Sequence, residues 1–298
     1  MLGVRRSNAL YGATMPELPE VEVITRKLGA FLTGKRILSV EVLEPKTIFG
    51  VGTIRRSSRP RAAAFETGLK NETIYEVARL GKNILFHFKS GKALVAHLKM
   101  TGQFLYVSDK LMLSTKHTRV VFNLNTGKLF FNDTRKFGYL LLYPSIEVSG
   151  YRKHFTNVGV EPLSDAFTTE EFWNLTRGKK GKLKSMLLSQ KVVAGIGNIY
   201  ADEICFAAGV RPQRGLHTLK RVEIEHIHAS TRDILARAIE AGGSSISDYV
   251  QPDAKRGSYA AQHKVYGRAG QACFVCSTLL TKMTLAARTT VFCKRCQK

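Results

Sequence analysis

The chain has 298 residues, 44% of them hydrophobic and 9% aromatic, enough apolar material for two folded cores and too much for a disordered protein. Lys and Arg total 46 against 23 Asp and Glu, a net charge of +23. Such an excess points to a polyanionic partner, because each cation that neutralises a phosphate releases a condensed counterion. No apolar run approaches the ~20 residues that span a bilayer, no lipidation signal is present, and no secretory h-region opens the chain. With only five cysteines, four of them in the last 26 residues, a disulfide scaffold is a poor reading and a reducing, cytoplasmic setting fits better.

Residues 1–14 carry two arginines, no acid and no periodicity. They read as a targeting segment, a misread start or an arm, and are expected to be missing from the working protein. From Glu17 the apolar residues Val21, Ile24, Leu28, Phe31 and Leu32 recur at helical spacing until Gly34. Alternating runs at 37–43, 84–88, 93–98, 119–124 and 139–143 then predict strands, separated by turns such as Ser90-Gly91 and Asn125-Thr126-Gly127. The expected fold class is α+β: a helix and a two-layer β-sandwich over 15–143, then a linker at 144–162. Helices are expected at 172–177, 183–189, 199–208 and 219–241, within a helical domain spanning 163–250. A polar, Gly-containing loop region follows at 251–264, and a basic tail at 265–298.

In the tail, Cys273-x2-Cys276 and Cys293-x2-Cys296 are separated by 16 residues. Two such knuckles supply the four thiolates of a tetrahedral zinc site, and four thiolates leave no open position for water, so one structural zinc is expected. Two disulfides are the alternative, a poor one in a chain without a signal peptide. The segment Thr281–Phe292 resembles a β-hairpin that presents Arg288, suited either to bidentate phosphate contact or to plain solvation.

Met15-Pro16-Glu17-Leu18-Pro19-Glu20 resembles the N-terminal signature of the formamidopyrimidine-DNA glycosylase family. The resemblance runs on through Gly81-Lys82, His97-Leu-Lys-Met100-Thr-Gly102, Asn132-Asp-Thr-Arg135-Lys-Phe137-Gly138, Gln190 to Tyr200 and the four cysteines, so it covers nearly all of 15–298. It implies a base-excision repair enzyme that removes oxidised purines from duplex DNA and then cleaves the strand as an abasic-site lyase. Pro16 would be the nucleophile, which requires its amine to be free, as initiation at Met15 would allow. A free α-amine titrates near 7.7–8.0, so roughly a tenth is neutral at pH 7 against about one part in 2,500 for an ordinary lysine. Glu17 would act as general acid, with Glu20 as a supporting acceptor that could equally be an ordinary first-turn acid.

The resemblance also implies that Met100 and Phe137 fill the hole left by a flipped nucleotide while Arg135 reads the orphaned base. Lys82, Lys184, Asn198 and Arg288 would hold phosphates, Lys82 also assisting elimination and Arg288 standing close to the chemistry. The glycines of Gly195-Ile-Gly197-Asn198 would let backbone approach DNA, with amides of the next helix on a phosphate. The 251–264 loop would cap the lesion. Thr134 and Lys136 depart from the family's more frequent proline and arginine, and a lysine there loses the bidentate fork. Neither a nucleotide cofactor nor a membrane is expected, and the enzyme would act as a monomer. An endonuclease VIII-like enzyme for oxidised pyrimidines, a catalytically silent lesion binder (if Pro16 stays acylated) and a zinc-ribbon regulator are the rival readings.

Overall fold

The computed structural model describes residues 15–50, 56–108, 116–245 and 251–298. Helix α1 (Leu18–Leu32) opens the fold. Strands β1 (Ile37–Val42), β6 (Thr118–Leu124), β7 (Lys128–Asp133) and β5 (Gly102–Val107) form one antiparallel sheet in the order β1-β6-β7-β5. Strands β2 (Ile74–Leu80), β3 (Asn83–Phe88), β4 (Ala93–His97) and β8 (Tyr139–Tyr143) form the second, in that order. The two sheets face each other across one apolar core, with Phe86 from β3 set edge-on to Phe104 from β5 at 5.5 Å. This is the expected sandwich.

Three strands and one helix of this half escaped the periodicity reading: β2, β5, β7, and α2 (Arg59–Leu69). In β2 the exposed side carries Tyr75 and the sequence mixes charge with apolar residues, so its alternation is blurred. The β7 run Leu129-Phe130-Phe131 is buried on both faces, and a continuous apolar triplet carries no period of two. The segment expected as linker contains α3 (Ser149–Phe155), whose Tyr151 and Phe155 pack on the outer face of the second sheet against Leu85, Val95, Leu141 and Tyr143. Two turns are too short to announce themselves by periodicity.

The second half holds α4 (Thr169–Thr176), α5 (Leu183–Leu188), α6 (Asn198–Ala207) and α7 (Arg221–Glu240). A hairpin of β9 (Thr281–Leu285) and β10 (Arg288–Phe292) completes the zinc ribbon. Helix α1 fastens the halves. Val21, Ile24, Leu28 and Leu32 enter the sandwich core, while Leu18 and Val23 enter the helical core with Ile196, Tyr200 and Ile204. One amphipathic helix thus belongs to both cores, and its N-terminus lies in the seam between them.

The loop at 251–258 ties into both halves. The Tyr106 amide donates to the Pro252 carbonyl at 3.1 Å and Lys27 on α1 pairs with Asp253 at 2.6 Å, while Gly257 lies against the Gly242 and Gly243 carbonyls that end α7.

Candidate active site in the interdomain cleft

The N-terminus of α1 opens onto a cleft of about 1350 Å³ that Met15, Glu17, Lys82, Met100, Asn198 and Arg288 help to line. Residues drawn from distant stretches of sequence therefore share one cavity. Pro16 is buried immediately behind Met15.

Glu17 is 3% exposed. Its carboxylate accepts the Ile199 amide at 2.9 Å and the Tyr200 amide at 3.4 Å, in the first turn of α6. This contact revises two expectations. The amides offered to a phosphate are already taken by Glu17, and the helix terminus that attracts anions holds a protein carboxylate instead. The glycines are explained by the same packing: a Cβ on Gly197 would stand 2.3 Å from the Glu17 Cδ, and one on Gly195 2.6 Å from the Leu18 Cβ. They admit α1. Gly195 also accepts the Leu18 amide at 3.0 Å and has φ +82°, in the left-handed region that favours glycine.

Glu20 receives the Glu17 amide at 2.9 Å, which fixes the Pro16-Glu17 segment, and also the Tyr200 hydroxyl at 2.6 Å and the Ser244 amide at 2.7 Å. Burial and the neighbouring Glu17 push its carboxyl up to about 7. Burial raises Glu17 as well, against the opposing pull of Lys82 and the α6 amides, so the protonated form is favoured beyond the usual carboxylate range.

Lys82 sits on the β2–β3 turn, where Gly81 has φ +57°. Arg79 braces that turn, pairing with Glu22 at 2.6 Å and Glu161 at 2.8 Å while donating to the Gly81 carbonyl at 3.0 Å. Burial lowers the Lys82 ammonium, the two glutamates raise it, and Arg288 and Lys99 lower it again. Arg288 begins β10 directly after Ala286 and Ala287, both left-handed at φ +50° and +55°, the pattern of a two-residue type I′ turn. Such backbone is costly for alanine and keeps the turn narrow at the cleft.

Met100, Arg135 and Phe137, expected from the sequence to fill a vacated base stack, form a cluster of their own. The Arg135 guanidinium lies 3.0 Å from the Met100 sulfur and 5.0 Å from the Phe137 ring, and Phe137 is 45% exposed. Beneath them Asp133, fully buried, accepts the Arg135 amide at 3.2 Å, the Gly138 amide at 2.6 Å and the Thr101 hydroxyl. Lys136 turns away to pair with Glu44 at 2.6 Å.

Lys184 is the correction among the expected contacts. It is 0% exposed, 2.7 Å from Asp202, and donates to the Thr290 hydroxyl at 2.8 Å and the Thr289 carbonyl at 3.1 Å. Fully buried, ion-paired with Asp202 and hydrogen-bonded to the hairpin, it holds the strand that carries Arg288 rather than a phosphate. Asn198 also donates to the Thr289 carbonyl, at 3.1 Å.

His97 was missed by sequence reasoning. It lines the cleft, and burial with the nearby cations lowers its ring to about 3, so it is neutral. Its Nδ1 accepts the Lys99 amide at 3.1 Å, which leaves the proton on Nε2. Tyr200 and Ser244 were missed because both act on Glu20, which is distant in sequence, and Asp133 because a buried acid that caps neighbouring amides carries no motif of its own.

The four cysteine sulfurs lie within 4.8 Å of one another. Sulfurs at ~2.3 Å from a central ion stand about 3.8 Å apart, so the cluster fits one structural zinc.

A sandwich joined by a shared helix to a helix–two-turn–helix unit and a zinc ribbon, around a cationic cleft, defines a DNA-repair enzyme. Residues 15–140 match the formamidopyrimidine-DNA glycosylase N-terminal domain, 158–250 its H2TH domain, and 270–298 the zinc finger found in FPG and IleRS. The chain belongs to the formamidopyrimidine-DNA glycosylase family. It is 38% identical over 283 residues to the formamidopyrimidine-DNA glycosylase of Desulfitobacterium hafniense, covering 95% of this chain and 100% of that one. The crystal structure of the MutM (FPG) protein from Thermus thermophilus aligns with TM-score 0.81 at 36% identity, covering 95% and 98%. A Lactococcus lactis FPG mutant, solved in complex with a Fapy-dG containing DNA, aligns with TM-score 0.85 at 32% identity, covering 95% and 100%.

Proposed function

We propose that this enzyme excises oxidised purines from duplex DNA and cleaves the resulting abasic site, with Pro16 as nucleophile. The observation that carries this reading is the convergence of Glu17 and Lys82 on one cationic cleft at the α1 N-terminus, where Pro16 lies between Glu17 and the cleft-lining Met15. The Pro16 nitrogen attacks C1′, the C1′–base bond breaks and the base takes up a proton. Glu17 gives its proton to the sugar ring oxygen as the ring opens, and the Pro16 N–H proton is released as the iminium forms. The resulting iminium draws electrons from C2′, whose proton is lost as the 3′ phosphate departs; a second elimination releases the 5′ side. Lys82 and Arg288 supply positive charge to the phosphates, and His97 can donate from Nε2 without changing charge. Glu20 sets the position of the Glu17 backbone.

The wedge cluster of Met100, Arg135 and Phe137 fills the vacated stack, Asn198 holds backbone beside the hairpin, and the 251–264 region caps the lesion. Residues 15–143 form the catalytic domain and 163–250 the helical DNA-binding domain, with 144–162 connecting them and 265–298 the zinc finger. Residues 1–14 lie outside the described part of the chain; the family match starting at residue 15 supports a working enzyme that begins at Pro16. Among the described residues no helix is long and apolar enough to cross a membrane, and the enzyme is read as a cytoplasmic monomer working on the chromosome.

Borohydride reduction in the presence of a duplex carrying 8-oxoguanine or an abasic site tests the reading. A chain beginning at Pro16 should give a covalent adduct through residue 16. No adduct from such a chain would refute the nucleophile, and preferential excision of thymine glycol would favour the pyrimidine-directed relatives.

A further inference from the structure

Behind Glu20 runs a buried file of hydroxyls that the reaction described above does not use. The Tyr200 hydroxyl donates to Glu20 Oε1 at 2.6 Å, Tyr200 Oη and Ser244 Oγ lie 3.3 Å apart, and Ser244 Oγ is 2.9 Å from His263 Nε2. Exposure along the file is 2% at Glu20, 0% at Tyr200, 2% at Ser244 and 6% at His263. These residues come from α1, α6, the segment after α7 and the segment before the zinc ribbon, so only the tertiary fold joins them.

The geometry points to His263 as a positioning residue that exchanges protons with Glu20 through Ser244 and Tyr200, so that Glu20 changes charge while the cleft is closed on DNA. This inference rests on the glycosylase reading. With Glu20 ionised, each link donates toward it: His263 Nε2–H to Ser244, Ser244 to Tyr200, Tyr200 to Glu20. A proton then advances one step at every link. Glu20 gains the Tyr200 proton, Tyr200 gains that of Ser244, and Ser244 gains the one on Nε2. Water supplies a proton to Nδ1, so His263 finishes as its other neutral tautomer. One proton enters, one arrives, and no charge is left inside.

The surroundings suit a neutral relay. Tyr259 and Tyr266 face the His263 ring at 5.8 and 5.7 Å, and Glu203, already accepting the Lys264, Val265 and Tyr266 amides, is the nearby acid. Burial lowers the ring to about 4, so it stays uncharged at neutral pH. At the other end Glu20 feels Glu17 and Lys82, and it is the group whose proton the file can carry.

The test uses the zinc-loaded chain beginning at Pro16, with single-turnover cleavage of an abasic duplex followed from pH 5.5 to 8.5. His263→Leu, His263→Gln and Ser244→Ala should each slow cleavage about 10-fold and shift the midpoint of the pH profile, less than a full acid–base contribution because His263 acts at a distance. Combining His263→Leu with Ser244→Ala should add little to either change alone. Glutamine can keep the hydrogen bond to Ser244 but cannot tautomerise. Full rescue by His263→Gln would overturn the relay, as would unchanged kinetics in His263→Leu or a slowdown equal at every pH that tracks DNA affinity. Failure of the unsubstituted chain to form the borohydride adduct would instead refute the glycosylase reading itself.

Discussion

The two ends of the cleft are built on opposite principles. At the α1–α6 seam, Glu17 and Glu20 are buried, the amides of Glu17, Ile199, Tyr200 and Ser244 are aimed at their carboxylates, and there is no room for one methyl group on Gly197. At the other end Arg135 and Phe137 are exposed, and the buried Asp133 holds the backbone amides of Arg135 and Gly138 beneath them. The seam needs carboxyl groups with raised proton affinity, which desolvation provides at a cost in stability. The stack-filling role proposed for Met100, Arg135 and Phe137 needs apolar and cationic side chains that reach solvent, which burial would prevent. Rigid polar chemistry and mobile apolar insertion therefore demand different burial within one site.

The sharpest way to break this contrast is at the nucleophile. Acylating the Pro16 nitrogen should abolish borohydride trapping while leaving duplex affinity in place, as gel shift would show; trapping that persists would move the nucleophile elsewhere. Next is zinc. The ribbon core consists of Val265, Leu280 and Val291 with Cys273 and Cys293, too few to fold alone, and structural zinc contributes on the order of 10 kcal/mol. Chelation should unfold the ribbon and remove Arg288 from the cleft, read as lost DNA affinity with the sandwich still melting cooperatively.

Lys184→Met should cost about 3–5 kcal/mol in chemical denaturation, since it strands Asp202 inside the protein. A small loss with weaker salt dependence of DNA binding would restore Lys184 to the phosphate contacts. At the wedge, Asp133→Ala should cost about 1–3 kcal/mol by leaving buried donors unpaired, whereas Phe137→Ala should leave stability unchanged and slow base extrusion alone. Equal losses of stability in both would erase the distinction between scaffold and wedge.

A further effect is with pH. The folded carboxyl of Glu20, at about 7, lies above its ordinary 4.5, so the native state binds more protons between those values. Its stabilising contribution is full below pH 4.5 and is lost as pH rises through 7. Glu20→Gln should flatten that part of the melting curve against pH; an unchanged slope would assign it to other buried acids.

Much of the site could be read from the chain because its chemistry is local. Pro16-Glu17, the paired CxxC knuckles and the Arg135-Lys-Phe137 string each state a geometry within a few residues, and α1 announces itself by a period that its two cores then share. Spacing alone, however, could not say which anion meets the α6 amides. A phosphate and a carboxylate satisfy the same donors, and Glu17, which takes them, is 182 residues away. The same holds for Lys184: a lysine is a phosphate ligand or half of a buried pair according to whether Asp202 and the β10 hairpin close over it. What the amino-acid order determined was the inventory of reactive groups and the local frames that carry them. What only the tertiary structure decided was which of those groups keep water, because desolvation is a property of everything packed around a side chain and no stretch of sequence contains it.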